Sequence, residues 1–345
     1  MGILRFTLSM LVLITHTSSP FKFLHISGTE AVICFYVVSG YLISRVLNKI
    51  YLANTKSFYI NRFLKIFPIY WGSLIFAFIC YQVIPTGHHN PLKIFKELNS
   101  ENNFITVYYT ILANFGIVLS DLSRILKINE QSDLLLGTGV NGAFSGAHNL
   151  LLIPQAWTLA IEIYFYVVAP FLVKSVQRTV ASLLCLFFIE TILEKYLNLF
   201  QNIDHESLFI YQLKYFLIGA LAFHLANRIK FKKTNYFLIF VLICSTFYIA
   251  NYRENYLLMS IVLALLIPNL ALLSESSFSR QIGEYSYPIY LVHYPIAKFI
   301  EDKVDSGFQF VLAASLSIAV SGLLIMSIGH RLNSIRDRIR GTNGN

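Results

Sequence analysis

Long apolar runs, separated by short polar stretches, dominate the pattern of residues along this chain. A helix needs about 20 apolar residues to cross about 30 Å of hydrocarbon. Ten runs approach that length, at residues 3–19, 29–47, 66–86, 157–173, 179–199, 208–226, 236–250, 256–273, 286–303 and 307–329. The pattern predicts an all-α bundle of about ten transmembrane spans that forms one domain over residues 1–330, followed by a short basic tail at 331–345.

A further apolar run, at 104–120, does not fit a simple crossing. The basic stretches on either side of it belong on the same side of the membrane, and the neighbouring spans already supply the two crossings needed. The run either lies in or re-enters the membrane, or it pairs with 134–153 as an extra hairpin. The glycines of 137–146 favour a re-entrant element, because non-helical backbone survives at that depth only where protein or water satisfies it.

Lysine and arginine are distributed unevenly between the two sets of loops. One set carries 16 of them, chiefly in 45–65, in 227–235 and in the tail, and the alternate set carries six. Cytoplasmic loops are enriched in these residues. We therefore expect both termini to lie in the cytoplasm.

Composition excludes several classes of protein. Charged residues make up 13% of the chain, against about 25% in soluble domains, and the mean hydropathy is +0.60. A soluble globule is thereby excluded, and a disordered chain needs the opposite bias. The net charge of +9 comes from clusters between apolar runs, so we expect no nucleic-acid partner. The four cysteines lie in apolar runs and His88-His89 lacks a third ligand, so we expect no metal site.

Ionisable residues inside the spans are candidates for function, because each costs about 3 kcal/mol there. They are Arg5, His16, Glu162, Glu190, Lys214 and His293. Arg5 and His16 are eleven residues apart, so they share one helix face about 16 Å apart along the axis. An arginine at the inner mouth and an imidazole base farther out suit an anionic carrier that enters from the cytoplasm. The alternative is a snorkelling arginine and a hydrogen-bonded interface histidine.

Three further positions in the middle of the chain have two interpretations each. Glu162 can orient a base or accept from a sugar hydroxyl, or it can be a carboxylate bonded within the bundle. Arg62 and Lys65, three residues apart on one helix face, can hold phosphates, or they can be plain positive charge on the cytoplasmic side.

The other intramembrane residues have simpler interpretations. Glu190 is assigned to an ion pair, with Lys195 nearby or Lys214 on the next span as its partner. His293 is assigned to a hydrogen-bonded position in the core. Trp157 is either an interfacial anchor or a platform for substrate.

Five motifs occur in order over nearly the whole chain. They are Arg5-x10-His16, Phe35-Tyr-Val-Val-Ser39-Gly40-Tyr41, Arg62-Phe-Leu-Lys65-Ile-Phe-Pro68, Trp157-x-Leu-x-x-Glu162 and Ser286-Tyr-x-Ile-Tyr290-Leu-x-His293-x-Pro295. Together they make the chain similar to the acyltransferase-3 family of integral membrane enzymes, which O-acylate cell-surface glycans. The sequence departs from the family at Ile33, where many members have Asp, with Glu30 as a speculative stand-in. It also has Lys65 where many members have Arg.

The resemblance implies a multi-pass O-acyltransferase of the bacterial plasma (inner) membrane. It would move an acyl group, which we assign as acetyl, from cytoplasmic acyl-CoA to a hydroxyl of an outer polysaccharide or glycolipid such as lipopolysaccharide. Acyl-CoA is then a co-substrate, and no tightly bound cofactor is implied. The resemblance assigns catalysis to His16 and Glu162, with Glu162 orienting the base or binding the acceptor. It assigns the binding of CoA phosphates to Arg5, Arg62 and Lys65. The substrate contacts are Ser39, Trp157, Tyr290 and His293.

A transporter or flippase for a lipid-linked or anionic sugar is the alternative function. Ten spans with buried charges would also suit such a protein. It predicts inverted repeats with interrupted helices in corresponding halves. The sequence has one glycine-rich break, at 137–146, and no matching partner.

Overall fold

The computed structural model of the chain describes residues 1–18, 27–52, 54–83, 90–100, 104–129, 133–137, 146–196, 207–226, 255–273, 276–301 and 303–341. Its α-helices are α1 (Gly2–Thr15), α2 (Gly28–Lys49), α3 (Thr55–Val83), α4 (Pro91–Ser100), α5 (Phe104–Gly116), α6 (Ala156–Leu172), α7 (Val176–Tyr196), α8 (Phe209–Ala226), α9 (Tyr256–Leu273), α10 (Ser277–Ile300), α11 (Ser306–Leu324) and α12 (His330–Gly341). Two short antiparallel strands, β1 (Leu126–Ile128) and β2 (Leu134–Leu136), and 3₁₀ turns at Ser120–Arg124 and Ala147–Leu150 lie between α5 and α6.

Several of these helices have the length and composition of membrane spans. Five of the described helices qualify fully: α2, α3, α7 up to Lys195, α8, and the continuous run from α11 into α12. Shorter apolar helices are α1, α5, α6 and most of α9. The prediction of an all-α helical membrane protein is confirmed, while the number of spans and the side of the termini stay predictions.

Helix boundaries differ from the predicted spans at three places. α3 begins at Thr55 rather than at 66, because Arg62 and Lys65 face cavities inside the bundle and do not end the helix. α10 begins at Ser277 rather than at 286. A π-helical turn at Ile325–Gly329 carries α11 into α12, so the basic tail is a helix as far as Gly341. The span at 236–250, the loop at 227–235 and the pair His88-His89 lie outside the described residues.

Glycines set the closest helix contacts in the core. A Cβ on Gly40 of α2 would lie 2.0 Å from the carbonyl oxygen of Phe216, and one on Gly219 of α8 would lie 1.9 Å from that of Val37. At the start of α1, a Cβ on Gly2 would lie 1.6 Å from the carbonyl oxygen of Ser279. Membrane helices associate through such small residues because lipid supplies no hydrophobic drive between helices.

The short helix α5 packs its C-terminal end against the middle of α3. α5 has 13 residues, about 20 Å at 1.5 Å per residue. Its last carbonyls accept hydrogen bonds from the middle of α3, Asn114 O from the Tyr70 hydroxyl at 2.6 Å and Phe115 O from Trp71 Nε1 at 3.0 Å. In the described part of 134–153 the chain forms β2 and a 3₁₀ turn. The described residues there form no helix of membrane-spanning length, and the two predicted courses of 104–120 stay predictions.

A buried asparagine satisfies the irregular backbone at this depth. Asn114 Nδ2 donates to the carbonyl oxygens of Thr110 and Leu150, at 2.9 and 3.0 Å, and its Oδ1 accepts from Leu152 N–H at 2.8 Å. These bonds replace the water that a lipid-embedded loop lacks. The irregular segment thereby forms part of the protein interior beside α6.

The bundle has two distinct ends. α1 and α10 run parallel: Ile3 N–H donates to Ser279 Oγ at 3.4 Å near their starts, and the rings of His16 and Tyr294 lie 5.3 Å apart near their ends. We call the end where α1 begins the basic end and the opposite end the His16 end. α12 lies at the basic end, where Asn61 Nδ2 of α3 donates to the Arg336 carbonyl oxygen at 3.2 Å.

Candidate active site

A narrow polar cavity lies between α1, α2, α3, α6 and α10. Its volume is about 70 Å³, and we call it the central cavity. Six of the predicted site residues line it: Arg5, Ser39, Arg62, Lys65, Glu162 and Tyr290. The structure thus brings together residues that are spread over nearly the whole sequence.

Glu162 is the acidic group of the central cavity and is held by two hydroxyls. Ser39 Oγ donates to Glu162 Oε1 at 2.7 Å, and the Tyr166 hydroxyl, one turn farther along α6, donates to the same oxygen. No described residue donates to Oε2. The carboxylate is therefore fixed in position with one oxygen available to a ligand in the cavity.

Arg62 and Lys65 of α3 line the same cavity as the Glu162 carboxylate. Arg62 is 7% exposed, and its guanidinium carbon lies 5.8 Å from the ring centroids of both Phe58 and Tyr166. Its buried Nε has no hydrogen-bond partner among the described residues. Aromatic faces stabilise a cation without consuming its N–H donors. Arg62 therefore keeps donor capacity for an anion.

A larger cavity of about 480 Å³ opens at the His16 end, and we call it the His16 cavity. His16, Trp157 and Tyr294 are part of its lining. The guanidinium carbon of Arg124 lies 5.5 Å from the Trp157 ring centroid. An indole with a cation on its face offers a ligand both an apolar surface and polar groups.

A polar layer separates the His16 cavity from the central cavity. The Tyr290 hydroxyl hydrogen-bonds with Thr158 Oγ1 at 2.7 Å, and Gln155 Nε2 donates to the carbonyl oxygens of Tyr290 and Leu291, each at 3.0 Å. Pro295 has no N–H to donate to the Leu291 carbonyl oxygen, and Gln155 supplies the missing donor.

His293 lies inside this layer. The residue is 0% exposed, and its ring centroid is 5.8 Å from that of Tyr290 and 5.3 Å from that of His16. Nδ1 donates to the Ile289 carbonyl oxygen at 3.2 Å, so Nε2 carries the lone pair of the neutral ring. His293 backs His16 and does not line either cavity, and its role as a substrate contact stays a prediction.

The structure does not bring Glu162 and His16 together. Glu162 is bonded to Ser39 and Tyr166 in the central cavity, whereas the His16 ring contacts His293 and Tyr294 in the His16 cavity. Glu162 is therefore not the group that orients His16 in this structure. Four further residues form hydrogen bonds within or between these cavities, and no sequence motif assigned a role to them. They are Tyr166, Thr158, Gln155 and Tyr287.

A third cavity, of about 510 Å³, lies at the basic end, and we call it the basic vestibule. It shares Arg5, Leu42, Lys65 and Tyr287 with the central cavity. Its other charged residues are Arg280, Glu284, Arg336, Asp337 and Arg340. The three cavities thus follow one another along α1, with Arg5 at the first junction and His16 in the last cavity.

Two other ionisable residues of the spans have local partners. Lys214 Nζ lies 3.1 Å from Glu190 Oε2, so the structure pairs Glu190 with Lys214, one of its two predicted partners. Glu30, the speculative stand-in for the family's Asp, caps α2: its carboxylate accepts from Ser27 N–H at 3.0 Å, and Ser27 Oγ accepts from Glu30 N–H at 3.3 Å. Such a capping box is a structural role.

These features define an all-helical membrane protein with a chain of polar cavities through its bundle. The chain belongs to the acyltransferase-3 family, because the model of that family, described as an acyltransferase domain, matches residues 1–328. The resemblance drawn from the five motifs is thereby confirmed, and the protein is a membrane acyltransferase. No curated protein and no solved structure matches the chain.

Proposed function

We propose that this protein moves an acyl group, which we take to be acetyl, from cytoplasmic acyl-CoA to a hydroxyl of an outer cell-surface polysaccharide or glycolipid. The observation that carries the proposal is the line of three cavities along α1, basic at one end and lined by His16 and Trp157 at the other. The basic end is then cytoplasmic, as the loop charges indicate. The location is the bacterial inner membrane.

The donor enters from the basic vestibule. Its phosphates meet cations where the vestibule joins the central cavity, since Arg5 and Lys65 line both cavities and Arg62 lines the central cavity. The uncharged arm of the carrier then extends toward the His16 end. Arg5 and His16 are about 16 Å apart along the helix, a distance that this long arm bridges.

Glu162 guides that arm in our proposal. Its Oε1 is occupied by Ser39 and Tyr166, while Oε2 accepts from amide N–H groups of the carrier. A fixed acceptor in a narrow, low-dielectric cavity orients the arm without reorganisation of its own.

His16 acts as the general base for the acceptor. A sugar hydroxyl is a poor nucleophile at neutral pH, so the imidazole removes its proton as the oxygen attacks the thioester carbonyl. The carbon–sulfur bond then breaks, and the leaving thiolate takes the proton from the imidazolium. The products are an ester on the acceptor and free CoA, and no further reactant is needed. Trp157 and Arg124 hold the sugar ring in the His16 cavity.

Acyl transfer in a defined membrane tests the proposal. The full-length protein is placed in liposomes that enclose acyl-labelled acetyl-CoA, with surface polysaccharide outside. We expect labelled ester on the polysaccharide and free CoA inside, with loss of label transfer in His16→Gln. Polysaccharide that crosses the membrane without gaining an ester would overturn the proposal in favour of the transporter.

The same question can be answered in cells. The ester-linked acetyl content of surface polysaccharide is compared with and without the chain. We expect the acetyl content to fall when the chain is absent and to return with the wild-type protein but not with His16→Gln. An unchanged acetyl content contradicts the proposed acceptor.

A further inference from the structure

The C-terminal helix α12 contributes two arginines to the basic vestibule. Arg336 and Arg340 are four residues apart, so they share one face of the helix. Both line the vestibule, as does Arg280 from α10. The other two arginines of α12, Arg331 and Arg338, are exposed and do not belong to its lining. The helix therefore sorts its arginines into a face toward the cavity and a face toward solvent.

The two vestibule arginines are incompletely satisfied. Arg336 Nη1 donates to Asn333 Oδ1 at 2.7 Å, and Arg340 Nη1 lies 3.5 Å from Asp337 Oδ1. The Nε atom of each is buried without a hydrogen-bond partner among the described residues. A buried, unpaired N–H donor costs free energy, which an anion in the cavity would recover.

The electrostatics of the vestibule favour an anion. It contains five cations, Arg5, Lys65, Arg280, Arg336 and Arg340, and two acids, Glu284 and Asp337. Positive charge therefore dominates the surroundings of Arg336 and Arg340.

Specific contacts fix the position of α12 on the bundle. A basic tail that only determined the orientation of the protein in the membrane would not need them. The π-helical turn at Ile325–Gly329 precedes the helix, and the buried Asn61 of α3 donates to the Arg336 carbonyl oxygen. Topology needs basic residues only near the membrane surface. It does not need two guanidiniums over a cavity of about 510 Å³, a volume within the usual range of ligand sites.

We propose that the basic vestibule binds the nucleotide end of the acyl-CoA donor, its 3′-phosphorylated adenosine diphosphate, with Arg336 and Arg340 as phosphate ligands. This rests on the proposed function, in which acyl-CoA is the donor. The carrier has its charges at the nucleotide end and an uncharged arm at the other. The structure has the matching order, a wide basic vestibule followed by a narrow central cavity.

Donors of decreasing length test the assignment in the full-length protein. KM and kcat are measured with acetyl-CoA, with acetyl-dephospho-CoA, which lacks the 3′-phosphate, and with S-acetylpantetheine, which lacks the nucleotide. For Arg336→Gln and Arg340→Gln we expect KM for acetyl-CoA to rise about tenfold, the size of one charged hydrogen bond. We expect kcat within about twofold of wild type and KM for S-acetylpantetheine unchanged.

Arg338→Gln is the matched control, because it removes the same charge from the exposed face of the same helix. We expect its KM for acetyl-CoA to equal that of wild type. The assignment would be overturned if KM equalled the wild-type value in all three variants, or if KM rose by the same factor in all three. Arg336→Lys keeps the positive charge at this position. Comparing it with Arg336→Gln shows whether a rise in KM comes from the lost charge or from a failure to fold.

Direct binding separates failure of this inference from failure of the proposed function. Adenosine 3′,5′-bisphosphate should raise the thermal midpoint of the wild type and of Arg338→Gln but not of Arg336→Gln, because a ligand stabilises only the form that binds it. Absence of acyl transfer by the wild type from every donor contradicts the proposed function. Transfer with no response to the bisphosphate contradicts the inference alone.

A lipid headgroup offers the same phosphate chemistry, and membrane composition distinguishes it. The measurements are repeated in vesicles of phosphatidylcholine alone and in vesicles with added phosphatidylglycerol. The rise in KM of Arg336→Gln should be the same in both. A rise that requires phosphatidylglycerol would assign the vestibule to lipid and overturn the proposal.

Discussion

Ser39 and Glu162 are 123 residues apart in sequence, and their side chains form a 2.7 Å hydrogen bond beside the central cavity. The bond joins α2 to α6 and, together with Tyr166, fixes Glu162 Oε1. It explains the serine of the motif at residues 35–41 by its contact with the acidic motif of α6. Its neighbour Gly40 serves another purpose, the close approach of α8.

Loss of the Ser39 hydroxyl should impair transfer. We expect Ser39→Ala to lower kcat/KM about tenfold, because a hydrogen bond to a charged group contributes about 1.5–3 kcal/mol, and Tyr166 still holds the carboxylate. Ser44→Ala is the control, since Ser44 is buried on the same helix and its hydroxyl has no partner among the described residues. Equal kinetics in the two variants would show that the bond does not position Glu162 for function.

Gly40 should tolerate no side chain. We expect Gly40→Ala to destabilise the protein by about 1–3 kcal/mol, the usual cost of overpacking, because its Cβ would lie 2.0 Å from the Phe216 carbonyl oxygen. Gly307→Ala in α11 has open space around the new Cβ and should leave stability within about 0.5 kcal/mol. Thermal unfolding followed by size-exclusion chromatography measures both. A Gly40→Ala protein as stable as wild type would contradict the observed helix spacing.

His16 should be needed for chemistry and not for folding. We expect His16→Gln to reduce acylation per folded molecule by about 10²–10⁴-fold, the contribution of a general base. His224→Gln is the structural comparison, because His224 Nε2 donates to the Val173 carbonyl oxygen at 3.0 Å at the basic end. It should lower the protein level and spare the activity of each molecule. If His16→Gln keeps more than about a tenth of normalised activity, the base is another residue, and His293 becomes the next candidate.

The orientation of the bundle can be read by chemical labelling. In a cysteine-free background, Leu52→Cys places a thiol at the basic end and Ser306→Cys places one at the His16 end, both at exposed positions. A membrane-impermeant maleimide added to intact spheroplasts should label Ser306→Cys, and should label Leu52→Cys only after permeabilisation, because the distribution of lysine and arginine predicts a cytoplasmic basic end. The reverse pattern would invert the proposed direction of transfer.

The sequence predicts those features that depend on local pattern. Apolar run length gives most helices, and the ordered motifs identify residues that the fold gathers into one cavity, such as Arg5, Arg62 and Glu162. The ion pair of Glu190 with Lys214 follows from two costly charges on adjacent spans. Burial cost is thus a reliable guide to which charges have partners or a cavity.

Other features depend on tertiary contacts and have no local signal. Glu162 and His16 lie in different cavities, and Glu162 is bonded to Ser39 and Tyr166 in its own. The sequence does not distinguish Arg336 from Arg338, because both are basic residues of the tail. Arg336 lines a cavity and Arg338 does not, because α12 packs on Asn61. The packing of residues 150–152 against α5 likewise depends on one asparagine, Asn114, which bonds Thr110, Leu150 and Leu152.

The small volume of the central cavity bears on the electrical insulation of the membrane. Where wide, water-filled cavities flank a narrow one, a transmembrane voltage falls mainly across the narrow region, where each 100 mV is worth about 2.3 kcal/mol per charge. Arg5, Arg62 and Lys65 line it, and fixed positive charges in a constriction repel protons and metal cations. The residues that we propose for the anionic carrier would therefore also repel cations from this narrow part of the path.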